Sequence, residues 1–298
     1  MVLSKLRYFA AADAAEGSKH VSDAQIAEIS NYFGDRLTHI EAVQGGTSSY
    51  CCFARIDGMA RFLKTGRWAG AQQHVAKEQH LLEFLYGQSA GAEILSLGRD
   101  DHPRSWLVMN AFEPRRQMVR PDHIADVLRG LGDRLRHFKA PSETLIPDNF
   151  ASLLSAGEDA LHYLWKKNHL SDQMTAEIRP YFALLRQKSA TDFTSVLCHG
   201  DFSPANLVGN GPALTVIDWE DAFWGIEGYD FLYWMTFFEN RKYLSQDIFS
   251  VTPWDKPTDI AILLLIIVVK SHISLLSKDY MTYSLTFEQR LNEILSLA

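Results

Sequence analysis

The chain has 298 residues, of which 47% are hydrophobic, 22% charged and 12% aromatic; that is enough to bury a large core and excludes collagen-like, disordered and low-complexity proteins. Its formal net charge is −7, from 29 Lys and Arg against 36 Asp and Glu with no basic run, which argues against a nucleic-acid partner. Three cysteines, Cys51 and Cys52 adjacent and Cys198 far away, make neither a disulfide framework nor a zinc spacing and read as reduced thiols of a cytoplasmic protein.

In chain order, residues 1–17 carry Lys5, Arg7 and Asp13 through their only apolar patch and do not read as a signal peptide; residues 1–35 are read as an N-terminal helical extension. Strands follow at 38–43, 50–56 and 59–64, the last two flanking Asp57-Gly58, a hairpin signal because both turn positions tolerate positive φ. A helix is predicted over 69–88, then short strands at 94–97 and 106–109. Beyond Asn110 the periodicity turns helical, at 121–138, 150–169 and 174–188, with Pro180 marking a kink in the last. Only 206–208 and 214–218 look extended there, joined by a Gly-Asn-Gly-Pro turn at 209–212, and everything after Gly228 is helical or aromatic-rich. The most apolar stretch, 260–269, is half of the roughly 20 residues that span a bilayer and reads as a buried helix, so no membrane association is expected. The expected fold is α+β with two lobes: a small antiparallel lobe with one helix over 1–110, and a larger, mostly helical lobe over 111–298. The lobes hinge near 110–114, and a ligand would sit in the cleft between them.

The chemistry concentrates in His199-Gly200-Asp201 with Asn206 five residues after the aspartate, followed by Ile217-Asp218-Trp219-Glu220. Such a four-letter pattern arises by chance in roughly one chain in 500 of this length. Magnesium takes hard oxygen ligands, one or two carboxylates and water, with substrate phosphates completing the shell. Asn206 and Asp218, at the mouths of two strands closed by a tight turn, suit that task. Asp201, on the loop ahead of them, suits a proton acceptor for an attacking hydroxyl.

The segment resembles the aminoglycoside phosphotransferase and choline kinase superfamily, small-molecule kinases of protein-kinase-like fold, and the resemblance extends over most of the chain. It implies that Asp201 is the catalytic base, that Asn206 and Asp218 bind Mg2+, and that His199 and Asp230 are structural. It places a nucleotide loop at Gly45, Gly46, Thr47, Ser48 and Ser49, whose backbone N–H groups and hydroxyls suit phosphate. It makes Lys64 the phosphate-binding lysine and Glu78 its partner, with Glu83 as the fallback, and it sets ATP's adenine against the edge strand near Met109, Asn110 and Phe112. The Gly-x-Gly-x-x-Gly loop of protein kinases is missing, and Asp218 is followed by Trp-Glu instead of Phe-Gly, so a small-molecule acceptor is expected.

The acceptor itself is less legible. Glu220, Asp221, Trp224 and Glu227 mix acids with an aromatic ring, as a cationic amino alcohol or aminoglycoside would need, and the segment resembles its counterpart in choline kinases. Tyr229, Phe231 and Trp234, at helical spacing, read as core packing ahead of a cation site. The expected activity is transfer of the γ-phosphate of ATP, with Mg2+, to a hydroxyl of an aminoglycoside-, amino-alcohol- or sugar-like molecule. Two alternatives stay open: a choline or ethanolamine kinase specifically, and a catalytically silent nucleotide-binding module. The sequence leaves the oligomeric state undetermined.

Overall fold

A computed structural model describes residues 21–43, 49–67, 71–97, 104–115, 117–209, 214–277 and 285–298. Helix α1, Asp23–Phe33, starts at a capping box formed by Ser22 and Gln25. A five-stranded antiparallel sheet follows in the order β1-β2-β3-β5-β4, from β1 Leu37–Val43, β2 Ser49–Ile56, β3 Met59–Gly66, β4 Glu93–Leu97 and β5 Arg104–Asn110. Helix α2, Ala71–Tyr86, lies between β3 and β4 in sequence and packs on β3 and β5. The first two residues of the predicted span, 69–70, lie outside the described residues. The β2–β3 turn has positive φ at both Asp57 and Gly58, as that dipeptide dictates.

Alternation along the strands sorts their side chains into two cores. Trp106 and Val108 of β5 join Leu63 and the α1 residues Ile29 and Phe33 on one face. Leu107 and Met109 join Val75, Leu82 and Leu85 of α2 on the other. Lys64, beside Leu63, therefore projects on the α2 face, paired in register with Cys51 on β2 and Leu107 on β5.

The second lobe holds α3 Pro121–Leu135, α4 Phe150–Lys166, α5 Asp172–Thr191, α6 Tyr229–Met235, α7 Lys256–Leu276 and α8 Phe287–Leu295. Helix α7 is long and apolar enough to cross a membrane by length and composition, yet its centre, from Ile260 to Val269, is buried inside the protein. The helices α4, α5, α6 and α8 pack around it. Gly157 on α4 allows the closest approach, because a Cβ there would lie 2.1 Å from Leu265 Cδ1. Helix α5 runs on through Pro180 as one element; Ala176 and Pro180 are exposed, so water can satisfy the carbonyl that the proline leaves unbonded.

Two strands were not legible in the sequence. Strand β6, Ser195–Cys198, pairs with β9, Phe223–Ile226, beside the expected pair β7, Leu207–Val208, and β8, Thr215–Val216. Four-residue strands with buried neighbours on both faces show no alternation to read. Asn206 belongs to the 3₁₀ turn Pro204–Asn206 and not to the strand that follows. Residues 1–20, the greater part of the expected N-terminal extension, lie outside the described residues, as do 210–213 of the expected turn.

Candidate active site

Strand β6 delivers His199-Gly200-Asp201 to the cleft. Gly200 has φ +84°, and a Cβ on it would sit 2.2 Å from the Asp221 carbonyl oxygen, so glycine is required on two counts. Asp230, at the start of α6, accepts from the backbone N–H of His199 at 2.7 Å and of Gly200 at 3.1 Å. Burial raises its pKa, against the pull of His199 and those two bonds. His199 lies between the Ile217 carbonyl, 2.9 Å from Nε2, and the Asp201 N–H, which donates to Nδ1 at 3.2 Å. That arrangement fits a neutral ring protonated at Nε2, and burial accordingly lowers its pKa. The ring also packs on Trp219, centroids 4.6 Å apart. His199 and Asp230 thus form a brace for the loop.

The Asp201 carboxylate is buried and accepts from the Tyr233 hydroxyl at 2.8 Å through Oδ1. Asn206 donates through Nδ2 to the Asp201 carbonyl at 2.8 Å, which directs its other amide atom, Oδ1, elsewhere. The Asn206 carbonyl accepts from Ile217 N at 3.0 Å, joining Asn206 to the segment that carries Asp218. Asp218 itself adopts the left-handed region, φ 68°, a conformation costing on the order of 1 kcal/mol or more for a non-glycine residue and concentrated at functional sites.

A second cluster forms where the lobes meet. Lys64 Nζ contacts Glu78 at 2.8 Å and Glu220 at 2.9 Å, and it also pairs with Asp218. Ser49 donates to Glu220 at 3.1 Å. One ammonium faces three carboxylates. Burial opposes the charge on Lys64, but Asp218, Glu220 and Glu78 overcome it and hold its pKa well above the ordinary lysine value. Glu78 is pushed up to about 7 by burial, with Asp218 and Glu220 adding to the rise and Lys64 opposing it. The ligand-type oxygens of Glu78, Asp218 and Glu220 lie within 4.8 Å of one another. With the Asn206 amide nearby in the chain, these hard oxygen donors in excess of the local cation fit a divalent metal.

The remaining candidates are distributed around this centre. Glu83 is exposed and bonds Gln79, so Glu78 is the lysine's partner. Met109 is buried in β5. The backbone N–H groups of Asn110 and Ala111 are engaged by the carbonyls of Ala90 and Ala60, at 2.8 and 3.1 Å, and Phe112 follows them half-buried. Glu220 groups with Lys64 rather than with Trp224 and Glu227. Trp224 is half-buried in β9, and Glu227 is exposed. Asp221 is buried in the 3₁₀ turn Trp219–Asp221. Tyr229, Phe231 and Trp234 are buried core residues, as their helical spacing suggests. Gly45, Gly46, Thr47 and Ser48 lie outside the described residues. Sequence reasoning missed Tyr233 as the partner of Asp201; its spacing three residues after Asp230, which puts both on one face of α6, was the available signal.

Residues 39–245 match the sequence model of the Phosphotransferase enzyme family. Among solved structures, the fold resembles aminoglycoside phosphotransferase APH(4)-Ia, with TM-score 0.65 and 12% identity over 93% of this chain and 100% of that one. It also resembles aminoglycoside 2′-phosphotransferase-IIIa in its GDP complex, with TM-score 0.62 and 17% identity over 92% and 97%. A third neighbour is an amicoumacin kinase in complex with AMP-PNP, Ca2+ and Ami, with TM-score 0.62 and 12% identity over 92% of each chain. No curated protein sequence matches this chain.

Proposed function

The chain belongs to the Phosphotransferase enzyme family, and on that premise we propose that it transfers the γ-phosphate of ATP, with Mg2+, to a hydroxyl group of a small molecule. The observation that carries this reading is the meeting of Lys64 and Glu78 from the first lobe with Asp218 from the second, next to a loop that presents Asp201. Asp201 takes the hydroxyl proton as the acceptor oxygen bonds the γ-phosphorus. The bond from that phosphorus to the β–γ bridging oxygen breaks, and its electron pair leaves with ADP. Lys64, aligned by Glu78, orients the α- and β-phosphates. Asn206 and Asp218, with Glu220 at hand, would hold the metal, which when bound offsets the charge of the phosphates.

Residues 1–110 are the nucleotide lobe and 111–298 the lobe carrying the catalytic loop and acceptor site. Adenine binds beside Met109, Asn110 and Phe112; because the N–H groups of residues 110 and 111 are already bonded, recognition falls to Phe112 and its neighbours. Ser49, bonded to Glu220, marks the end of the nucleotide loop. Asp221, Trp224 and Glu227 shape an acidic approach for a cationic acceptor such as an amino alcohol or aminoglycoside. Three buried thiols are consistent with a cytoplasmic setting. The complete Lys64, Glu78, Asp201, Asn206 and Asp218 set favours an enzyme over a silent nucleotide-binding module.

An ATP-consumption screen over amino alcohols, aminoglycosides, sugars and hydroxy amino acids tests the proposal. Turnover with one class is the expected result. Absence of any melting shift with millimolar ATP or GTP and Mg2+ would overturn it, since a ligand that binds only the folded state must stabilise it.

A further inference from the structure

We infer that Tyr233 is a positioning residue for the phosphoryl-transfer step, setting the plane of the Asp201 carboxylate from beneath the catalytic loop; this rests on Asp201 being the proton acceptor. The last torsion of an aspartate is intrinsically broad, so a general base on a loop needs a second contact to fix which way its lone pairs face. Here the loop's own bonds are made by the backbone and by His199 and Asp230. They fix where Asp201 begins but not how its carboxylate is turned. The Tyr233 hydroxyl, donating to Oδ1 at 2.8 Å, supplies that restraint.

The tyrosine is itself held. It is 3% exposed, with the rings of Tyr229 and Phe237 at 5.9 and 5.7 Å. Lys270, the cation closing the apolar run of α7, places its ammonium 4.4 Å from the Tyr233 ring centroid and 3.4 Å from that of Phe237. The same ammonium donates to Thr236 Oγ1 at 2.9 Å. Phe237, Thr236 and Tyr233 are thus tied to the core helix by one cation. Burial raises the Tyr233 pKa well above the ordinary tyrosine value, so the phenol keeps its proton and remains a donor. A chain of contacts therefore runs from the apolar core helix α7 to the reacting carboxylate, and positional errors of a fraction of an ångström there are costly to rate.

The test uses the full chain and the acceptor found in the screen, and compares wild type, Tyr233→Phe, Asp201→Asn and the double variant. Tyr233→Phe is expected to lower kcat roughly 10–150-fold, the span of one hydrogen bond to a charged group. KM for ATP and acceptor and the calorimetric affinity for ATP should stay within about twofold. In the Asp201→Asn background the same substitution should cost nothing further, because the orientation it disturbs no longer matters. Lys270→Met keeps the stem and removes the charge, leaves the hydroxyl in place and repeats the test without altering Tyr233; a smaller kcat loss, again absent with Asp201→Asn, is expected. An unchanged kcat in Tyr233→Phe overturns the inference. So does an equal loss with and without Asp201, or a loss that tracks falling ATP affinity and melting temperature, since either is the mark of a structural role. Wild-type turnover in Asp201→Asn alone would instead sink the base assignment on which the inference rests.

Discussion

The two halves of the site are built on opposite electrostatic plans. At the lobe junction, Lys64 faces Glu78, Asp218 and Glu220, so the protein gathers more negative charge than its own cation answers. Around Asp201 the contacts are with neutral groups: a tyrosine hydroxyl donates to its carboxylate and a histidine ring accepts from its backbone N–H, and Asp230 braces the loop by accepting from two backbone N–H groups. The first arrangement is frustrated until a further cation arrives. The second is satisfied as it stands. A phosphoryl-transfer site needs both, because charge must be answered where phosphate and metal bind, whereas a proton acceptor must be aimed.

If the junction works by charge, the largest effect should come from Asp218. Asp218→Asn suits the left-handed backbone there, so the fold should survive while turnover drops roughly 10⁴-fold; near-normal kcat would remove Asp218 from the metal's ligands. Asp201→Asn comes next. It keeps the shape and the acceptor for Tyr233 but loses the base, and kcat should fall about 10²–10³-fold with ATP affinity retained by calorimetry. Glu78→Gln tests a single arm of the lysine's support and should raise the KM for ATP about tenfold, the worth of one charge-assisted bond; an unchanged KM would mean that Asp218 and Glu220 suffice to aim Lys64.

The smallest effect on activity, and the sharpest control, is Asp259 on α7. It is buried with Thr252 donating to its carboxylate at 2.7 Å, and burial pushes its pKa up to about 7. It therefore shows what burial does without a lysine. The unfolded state ionises near the ordinary value while the folded state still holds its proton, so stability is lost as pH rises from about 4 through 7. Asp259→Asn should flatten that decline, leaving the melting temperature higher than wild type at pH 8 with kcat unchanged. A wild-type melting temperature that climbs over the same range would contradict the assignment.

What the sequence made legible was local. The Asp57-Gly58 turn, the α2 period and the His199-Gly200-Asp201 spacing each lie within a few residues and carry their physics with them. The Lys64–Glu78 pair was implied by the family resemblance, and it joins two consecutive elements, β3 and α2, 14 positions apart. Tyr233 and Asp201 are 32 positions apart and meet by packing within the second lobe, and Glu220 reaches Ser49 across 171 where the lobes meet; no periodicity encodes either contact. The β6–β9 pair failed to show for a related reason, since short strands buried on both faces look like any apolar stretch.

The three cysteines bear on how this protein can be handled and observed. Cys51 sits opposite Lys64 in the sheet, and its thiol, like that of Cys52, is pushed up to about 12 by burial; Cys198 is raised as well, for the same reason. At neutral pH the reactive thiolate is a vanishing fraction of each, so the folded chain should resist alkylating reagents and mild oxidants. Any labelling that does occur then counts excursions in which the five-stranded sheet or strand β6 has opened. Mass spectrometry after timed alkylation would resolve the two β2 thiols from the β6 thiol, giving separate clocks for the two lobes, and a bound nucleotide should slow the first more than the second.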